Sequence, residues 1–169
     1  MNEVALAQRG GMLGIEDARA ARLIALLLPL GLLGGALGSQ YIGGLYPCEM
    51  CYWQRWPHGA AILLAALAFT SLPMSKRSIA LTLLAAFAIA ISGAIGVYHA
   101  GVEAGIFEGF TTCTATAGLT LNDLMKVPLV RCDQVQWSLF GISLAGWNAI
   151  FSLSGAALIV FLTTRGRRA

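Results

Sequence analysis

Charged residues along this chain stand in small groups, and between them run four long stretches with no charge at all. Arg22 and Glu49 enclose 26 uncharged residues, Arg55 and Lys76 enclose 20, Arg77 and Glu103 enclose 25, and Asp133 and Arg165 enclose 31. A helix crossing about 30 Å of hydrocarbon at about 1.5 Å per residue needs roughly 20 mostly apolar residues. Each stretch therefore holds one span, and none comfortably holds two. The predicted spans are Leu23–Tyr41, Trp56–Leu72, Ile79–Tyr98 and Ser143–Thr163. The competing reading is a soluble all-α protein with buried core helices. Four such stretches leave almost no polar face to solvate it. The first stretch begins after about 20 residues and exceeds a signal-peptide core in length, so a cleaved leader is not expected.

Composition agrees with lipid as the solvent. The 169 residues are 57% hydrophobic and only 11% charged, against about a quarter charged in soluble domains. The net charge of +3 comes without a dense basic run, which argues against nucleic acid as a partner. Orientation follows from Lys and Arg in the short loops. Arg9, Arg19, Arg22, Lys76, Arg77, Arg165, Arg167 and Arg168 fall on one side; only Arg55, Lys126 and Arg131 fall on the other. The expected fold is thus all-α: an integral membrane four-helix bundle with both termini cytoplasmic. Residues 1–22 form a cytoplasmic N-terminal segment, read as poorly ordered around Gly10, Gly11 and Gly14. The transmembrane domain covers 23–163, with outer loops at about 42–55 and 99–142, and residues 164–169 form the tail. Within the second outer loop, apolar Leu121, Leu124 and Met125 predict a short interfacial helix.

All four cysteines fall in the outer loops: Cys48 and Cys51 in the first, Cys113 and Cys132 in the second. Disulfides persist outside the cytoplasmic membrane, where cytosolic reductants do not reach. Cys48-Glu49-Met50-Cys51 is a C-x-x-C, whose small disulfide ring is usually reducible. A helix begins directly after it, so Cys51 sits near a helix N-terminus, where the dipole and Arg55 favour thiolate. Arg55, four residues on, shares that face. It can stabilise a thiolate or the oxygen of a reduced quinone; snorkelling to lipid headgroups is the other reading. His99 ends the third span and can meet a quinone carbonyl or simply sit at the interface.

Other chemistries fit less well. Zinc calls for a second close pair or histidines; Cys113 and Cys132 are 19 apart and His58 falls inside a span, so no metal is expected. A c-type haem needs histidine after the C-x-x-C, and residue 52 is Tyr. Two inert structural disulfides remain open, which would make the chain a non-catalytic, disulfide-stapled scaffold or chaperone for a secreted partner. A membrane bundle already satisfies its backbone and has little need of staples.

Taken together these residues resemble the DsbB family of disulfide bond formation proteins. The resemblance runs from about Leu23 to Val160. It rests on Pro47-Cys48-x-x-Cys51 with Arg55, on two cysteines in the second outer loop, and on Cys132-Asp133 ahead of Trp137-Ser138-Leu139-Phe140-Gly141-Ile142-Ser143. Ala145-Gly146-Trp147 departs from a proline and polar residue often found there. The resemblance implies a thiol:quinone oxidoreductase of the bacterial inner membrane. It would reoxidise a periplasmic DsbA-like thioredoxin-fold partner and pass electrons to ubiquinone or menaquinone. It further implies redox-active disulfides Cys48–Cys51 and Cys113–Cys132, with Cys113 the sulfur that meets the partner and Cys51 the one beside the quinone. Arg55 and, by a looser match, His99 would contact the quinone. A rearranged Cys51–Cys113 or Cys48–Cys132 pair is expected as an intermediate.

Overall fold

A computed structural model describes residues 3–109 and 130–167 of the chain. Cys113 and the expected interfacial helix lie outside the described residues. Among the described residues four helices carry the fold: α1 (Glu3–Tyr41), α2 (Glu49–Ala68), α3 (Lys76–Glu103) and α4 (Leu144–Gly166). A two-stranded antiparallel hairpin, β1 (Ser138–Leu139) and β2 (Ile142–Ser143), precedes α4. Its turn residues Phe140 and Gly141 both have positive φ, 52° and 76°, the backbone that tight hairpin turns require. Helix α3 packs along α2 and α4, α1 packs along the same two, and α1 and α3 barely meet. The helices thus surround one axis in chain order.

Three of these helices, α1 from Gly11, α3 and α4, are long and apolar enough to cross a membrane. Helix α2 carries Gln54, Arg55 and His58 within 20 residues and falls short of that measure. The distribution of side chains also suits lipid. The main core is built of Ala21, Ala25, Ala61, Ala65, Ala85, Ala86, Ile89 and Ile159, while Leu27, Trp56, Leu63, Phe87 and Phe161 point outward. Small residues inside and large apolar ones outside let helix backbones approach closely, as bundles in membranes do.

One difference from the sequence reading lies at the N-terminus. Residues expected to be a loose lead-in continue α1 as helix, without a break at Gly10, Gly11 or Gly14. Packing explains the second half of this stretch. Asp17 receives a two-pronged pair from Arg165 of α4, at 2.6 Å from Nε and 2.5 Å from Nη2. Arg22 reaches across to donate to the carbonyls of Ala68 and Ser71 at 3.2 and 2.9 Å, stacking over Phe69. It thereby adds a donor to carbonyls at and just beyond the C-terminal end of α2. Pro29 and Pro57 lie inside helices, where neighbouring helices can offset the lost backbone bond.

At the opposite end the closest helix approach is between α3 and α4. A Cβ added to Gly96 would stand 3.0 Å from the Ala145 carbonyl and 3.1 Å from Asn148 Nδ2; one added to Gly93 would stand 2.9 Å from Leu153. Gly96→Val is therefore expected to overpack this contact and cost about 1–3 kcal/mol. A thermal unfolding series in detergent checks it, with the variant's midpoint several degrees below the parent's; an equal midpoint contradicts the packing.

Candidate functional site

The site begins at a helix start. Cys48 is the N-cap of α2, in extended backbone, and its sulfur accepts a hydrogen bond from the Cys51 amide at 3.3 Å. Ser, Thr, Asp or Asn usually take this place; a thiol here points its sulfur into the positive end of the helix. The two sulfurs stand 2.9 Å apart and are not disulfide-linked. Cys132 packs into the same cluster with Met50 and Val102. Cys48 and Cys132 are buried, while Cys51 is half-buried. Beside Cys132, Arg131 and Asp133 form an ion pair on the surface.

The two members of the C-x-x-C are held at different acidities. Hydrogen bonding with the Cys132 and Cys51 thiols, then burial, pushes the Cys48 thiol far up. The Cys48 side chain pulls the Cys51 thiol down, aided by the nearby Arg55 charge. Cys51 is thus the more acidic thiol of the pair, and Cys48 the less acidic.

Helix α3 supplies the wall opposite. His99 Nε2 lies 3.5 Å from Cys48 Sγ and 3.8 Å from Glu103 Oε1. Its Nδ1 meets Gln54 Nε2 at 2.8 Å. From Gln54 a polar network runs on through Asn148 of α4 to Ser92, His58 and Ser152. Past Glu103 the chain turns at Gly105 (φ 70°), and Phe107 folds back over Gly101 to stack on Tyr98, with ring centroids 5.4 Å apart.

A cavity of about 280 Å3 opens against these groups. Its mostly apolar wall includes Leu32, Ala36, Leu144, Trp147 and Phe151, and its polar edge carries Cys48, Cys51, Arg55, His58 and His99. Arg55 donates to Gln40 Oε1 at 2.5 Å and to the Ala36 carbonyl at 3.1 Å. Its buried Nε has no hydrogen-bond partner. An apolar slot with a few placed polar groups is the usual form of a small-molecule site. Cys48, Cys51 and His99 also bring their ligand atoms within 4.8 Å of one another, a proximity not legible in their spacing along the chain.

Of the residues singled out from sequence, Cys48, Cys51, Cys132, Arg55 and His99 come together here; Cys113 lies outside the described residues. His99 meets a cysteine sulfur as well as the cavity. Sequence reading passed over Gln54, Ser92, Glu103 and Asn148. A signal existed for Ser92 and Asn148, since polar side chains inside apolar stretches are costly and face the bundle interior; Gln54 and Glu103 stand outside such stretches and carried none.

The acidity difference has a direct readout. Iodoacetamide at pH 7 should label Cys51 at least about tenfold faster than Cys48 in the reduced protein. The Cys51 rate should persist as pH falls below the ordinary thiol range. Peptide mapping of the alkylated sites checks this; equal rates, or faster Cys48 labelling, contradict it.

Comparison with known proteins matches the chain to one family. The family model of disulfide bond formation protein DsbB matches residues 18–162. Disulfide bond formation protein B 1 of Pseudomonas fluorescens is 30% identical, over 92% of this chain and 96% of its own. Disulfide bond formation protein B of Methylococcus capsulatus is also 30% identical, over 80% and 88%. An uncharacterized protein of Rickettsia prowazekii is 22% identical over 85% of each chain. No solved structure matches the chain. With its apolar helices and its cysteine-lined site, the chain belongs to the DsbB family of membrane proteins of disulfide bond formation.

Proposed function

We propose that this chain is a thiol:quinone oxidoreductase of the bacterial inner membrane, oxidising a periplasmic DsbA-like thioredoxin-fold protein. The observation that carries the reading is the position of Cys48, packed with Cys51 and Cys132 at the edge of an apolar cavity. Thiol–disulfide exchange needs sulfur to attack sulfur directly, so a relay works only between pairs that touch. Helix α2 serves as the fourth span, its polar residues turned to the bundle interior, and both termini face the cytoplasm.

In this reading Cys113 and Cys132 form the disulfide that meets the reduced partner, and Cys113 takes the partner's sulfur. Cys132, released as thiolate, attacks Cys48; the Cys48–Cys51 bond breaks and its electron pair leaves on Cys51. The lowered pKa of that thiol makes it the better leaving group. Quinone, as the electron-accepting substrate, takes up two electrons and two protons. The apolar slot fits its ring, and the unpartnered Arg55 Nε is a donor for a ring oxygen carrying negative charge. Ubiquinone and menaquinone both fit this chemistry.

The test mixes the purified oxidised protein with a short-chain quinone and a reduced thioredoxin-fold protein. Quinone absorbance should fall as the partner becomes oxidised. If neither changes, the chain is not an oxidase, and the stapled scaffold takes its place. Cys113→Ser should abolish oxidation of the partner while leaving Cys48–Cys51 oxidisable by quinone; equal loss of both contradicts the division of labour. Arg55→Ala should raise the quinone concentration for half-maximal rate by about tenfold or more. An unchanged requirement makes Arg55 an anchor only.

A further inference from the structure

Two buried histidines and two amides meet between α2, α3 and α4, and their hydrogens cannot be assigned one at a time. The assignment starts from main-chain carbonyls, which only accept. The Met50 carbonyl lies 3.2 Å from one end of the Gln54 amide, which is therefore its Nε2. The Ser92 carbonyl lies 3.2 Å from one end of the Asn148 amide, which is therefore its Nδ2. So oriented, Asn148 Nδ2 donates to Gln54 Oε1 at 2.8 Å. Turning either amide round would set oxygen against oxygen at its carbonyl and spoil the bond between them. The second hydrogen on Gln54 Nε2 then points at His99 Nδ1, 2.8 Å away. Because Nδ1 accepts, the neutral ring carries its hydrogen on Nε2. That N–H faces Cys48 Sγ at 3.5 Å, with Glu103 Oε1 at 3.8 Å from the same nitrogen and the Cys132 backbone also hydrogen-bonded to the ring.

We propose that Gln54 and Asn148 are positioning residues for the sulfur chemistry: as an amide relay, they hold His99 in the tautomer whose Nε2–H faces Cys48. The inference rests on the thiol–quinone reading above and names residues that reading does not use. Its consequence falls on the steps in which Cys48 carries charge. When a thiolate attacks Cys132 of a Cys48–Cys132 disulfide, a new S–S bond forms at Cys132. The old bond breaks, and its electron pair leaves on Cys48. A donor already aimed at that sulfur stabilises the charge without reorganisation. Cys51 from α2 and Cys132 from the loop also act on this sulfur, Arg55 acts on Cys51 beside it, and Glu103 lies against His99 itself, so His99 is one of several groups setting its acidity. The relay also bears on the metal-like spacing of Cys48, Cys51 and His99. A metal ion takes a histidine lone pair, and the relay turns an N–H to the sulfurs instead.

The test has a spectroscopic and a chemical arm, both on the full chain in detergent. In 15N spectra of histidine-labelled protein, His99 should show a protonated Nε2 and a bare Nδ1; a protonated Nδ1 overturns the proposal. In a Cys51→Ser/Cys132→Ser background, the pH midpoint of Cys48 alkylation reports thiolate formation. Adding Gln54→Leu should raise that midpoint by about one pH unit or more, and Asn148→Leu should move it the same way. An unchanged midpoint in the folded Gln54→Leu protein overturns the relay. Should that variant fail to fold, the spectrum of the parent decides alone. Quinone reduction by the parent is measured in parallel. Its absence sinks the oxidase reading and leaves the tautomer standing, whereas its presence with the wrong tautomer sinks the relay only.

Discussion

The sulfur of Cys48 occupies the place where a helix must find an acceptor for its first free amides. By accepting the Cys51 N–H, it completes α2 and at the same time fixes itself at the positive end of that helix. The other features of the site follow from this position. Cys51 lies one turn into the helix on the side of Arg55, His99 of α3 reaches the same sulfur, and Cys132 closes over it. A hydroxyl or carboxylate cap would finish the helix equally well. Only sulfur finishes it and exchanges bonds.

Around that point the bundle combines two kinds of packing. Toward the end marked by Asp17, Arg22 and Arg165, small residues, the Asp17–Arg165 ion pair and the Arg22 hydrogen bonds bind α1 to α2 and α4. Toward the cysteine end, Gly93 and Gly96 bring α3 and α4 close enough for Asn148 to reach Ser92 and Gln54. Buried polar groups are costly unless each finds a partner. Here the amides, hydroxyls and imidazoles largely satisfy one another across three helices. The same bonds that stabilise the interior set the direction of each hydrogen in it. Precise helix packing and hydrogen placement are thus one property of this end of the bundle.

Much of this was legible in the sequence because lipid imposes strong rules. Charge-free stretches marked out the helices now seen as α1, α3 and α4, and the apolar run after Cys51 marked α2. The C-x-x-C placed Cys51 in the first turn of a helix, and the four-residue interval placed Arg55 beside it. Apart from the expected exchange between the two cysteine pairs, contact between distant segments was not legible. Nothing in the spacing of Cys48, His99 and Cys132 says that they meet. Gln54 and Asn148 are 94 apart; read singly, Gln54 was a polar residue of the first outer loop and Asn148 a polar residue in an apolar run. The Phe140–Gly141 hairpin escaped notice because two-residue strands leave no periodicity. The helical continuation before residue 22 escaped because its partner, Arg165, lies at the far end of the chain.

The central claim is that Cys48 sits within exchange distance of Cys132 as well as of Cys51. The most direct measurement removes the two competing sulfurs. In a Cys51→Ala/Cys113→Ala protein held in its membrane and mildly oxidised, peptide mapping should find Cys48 and Cys132 joined in nearly every molecule. Two free thiols after the same oxidation, with helix content intact, would contradict the account.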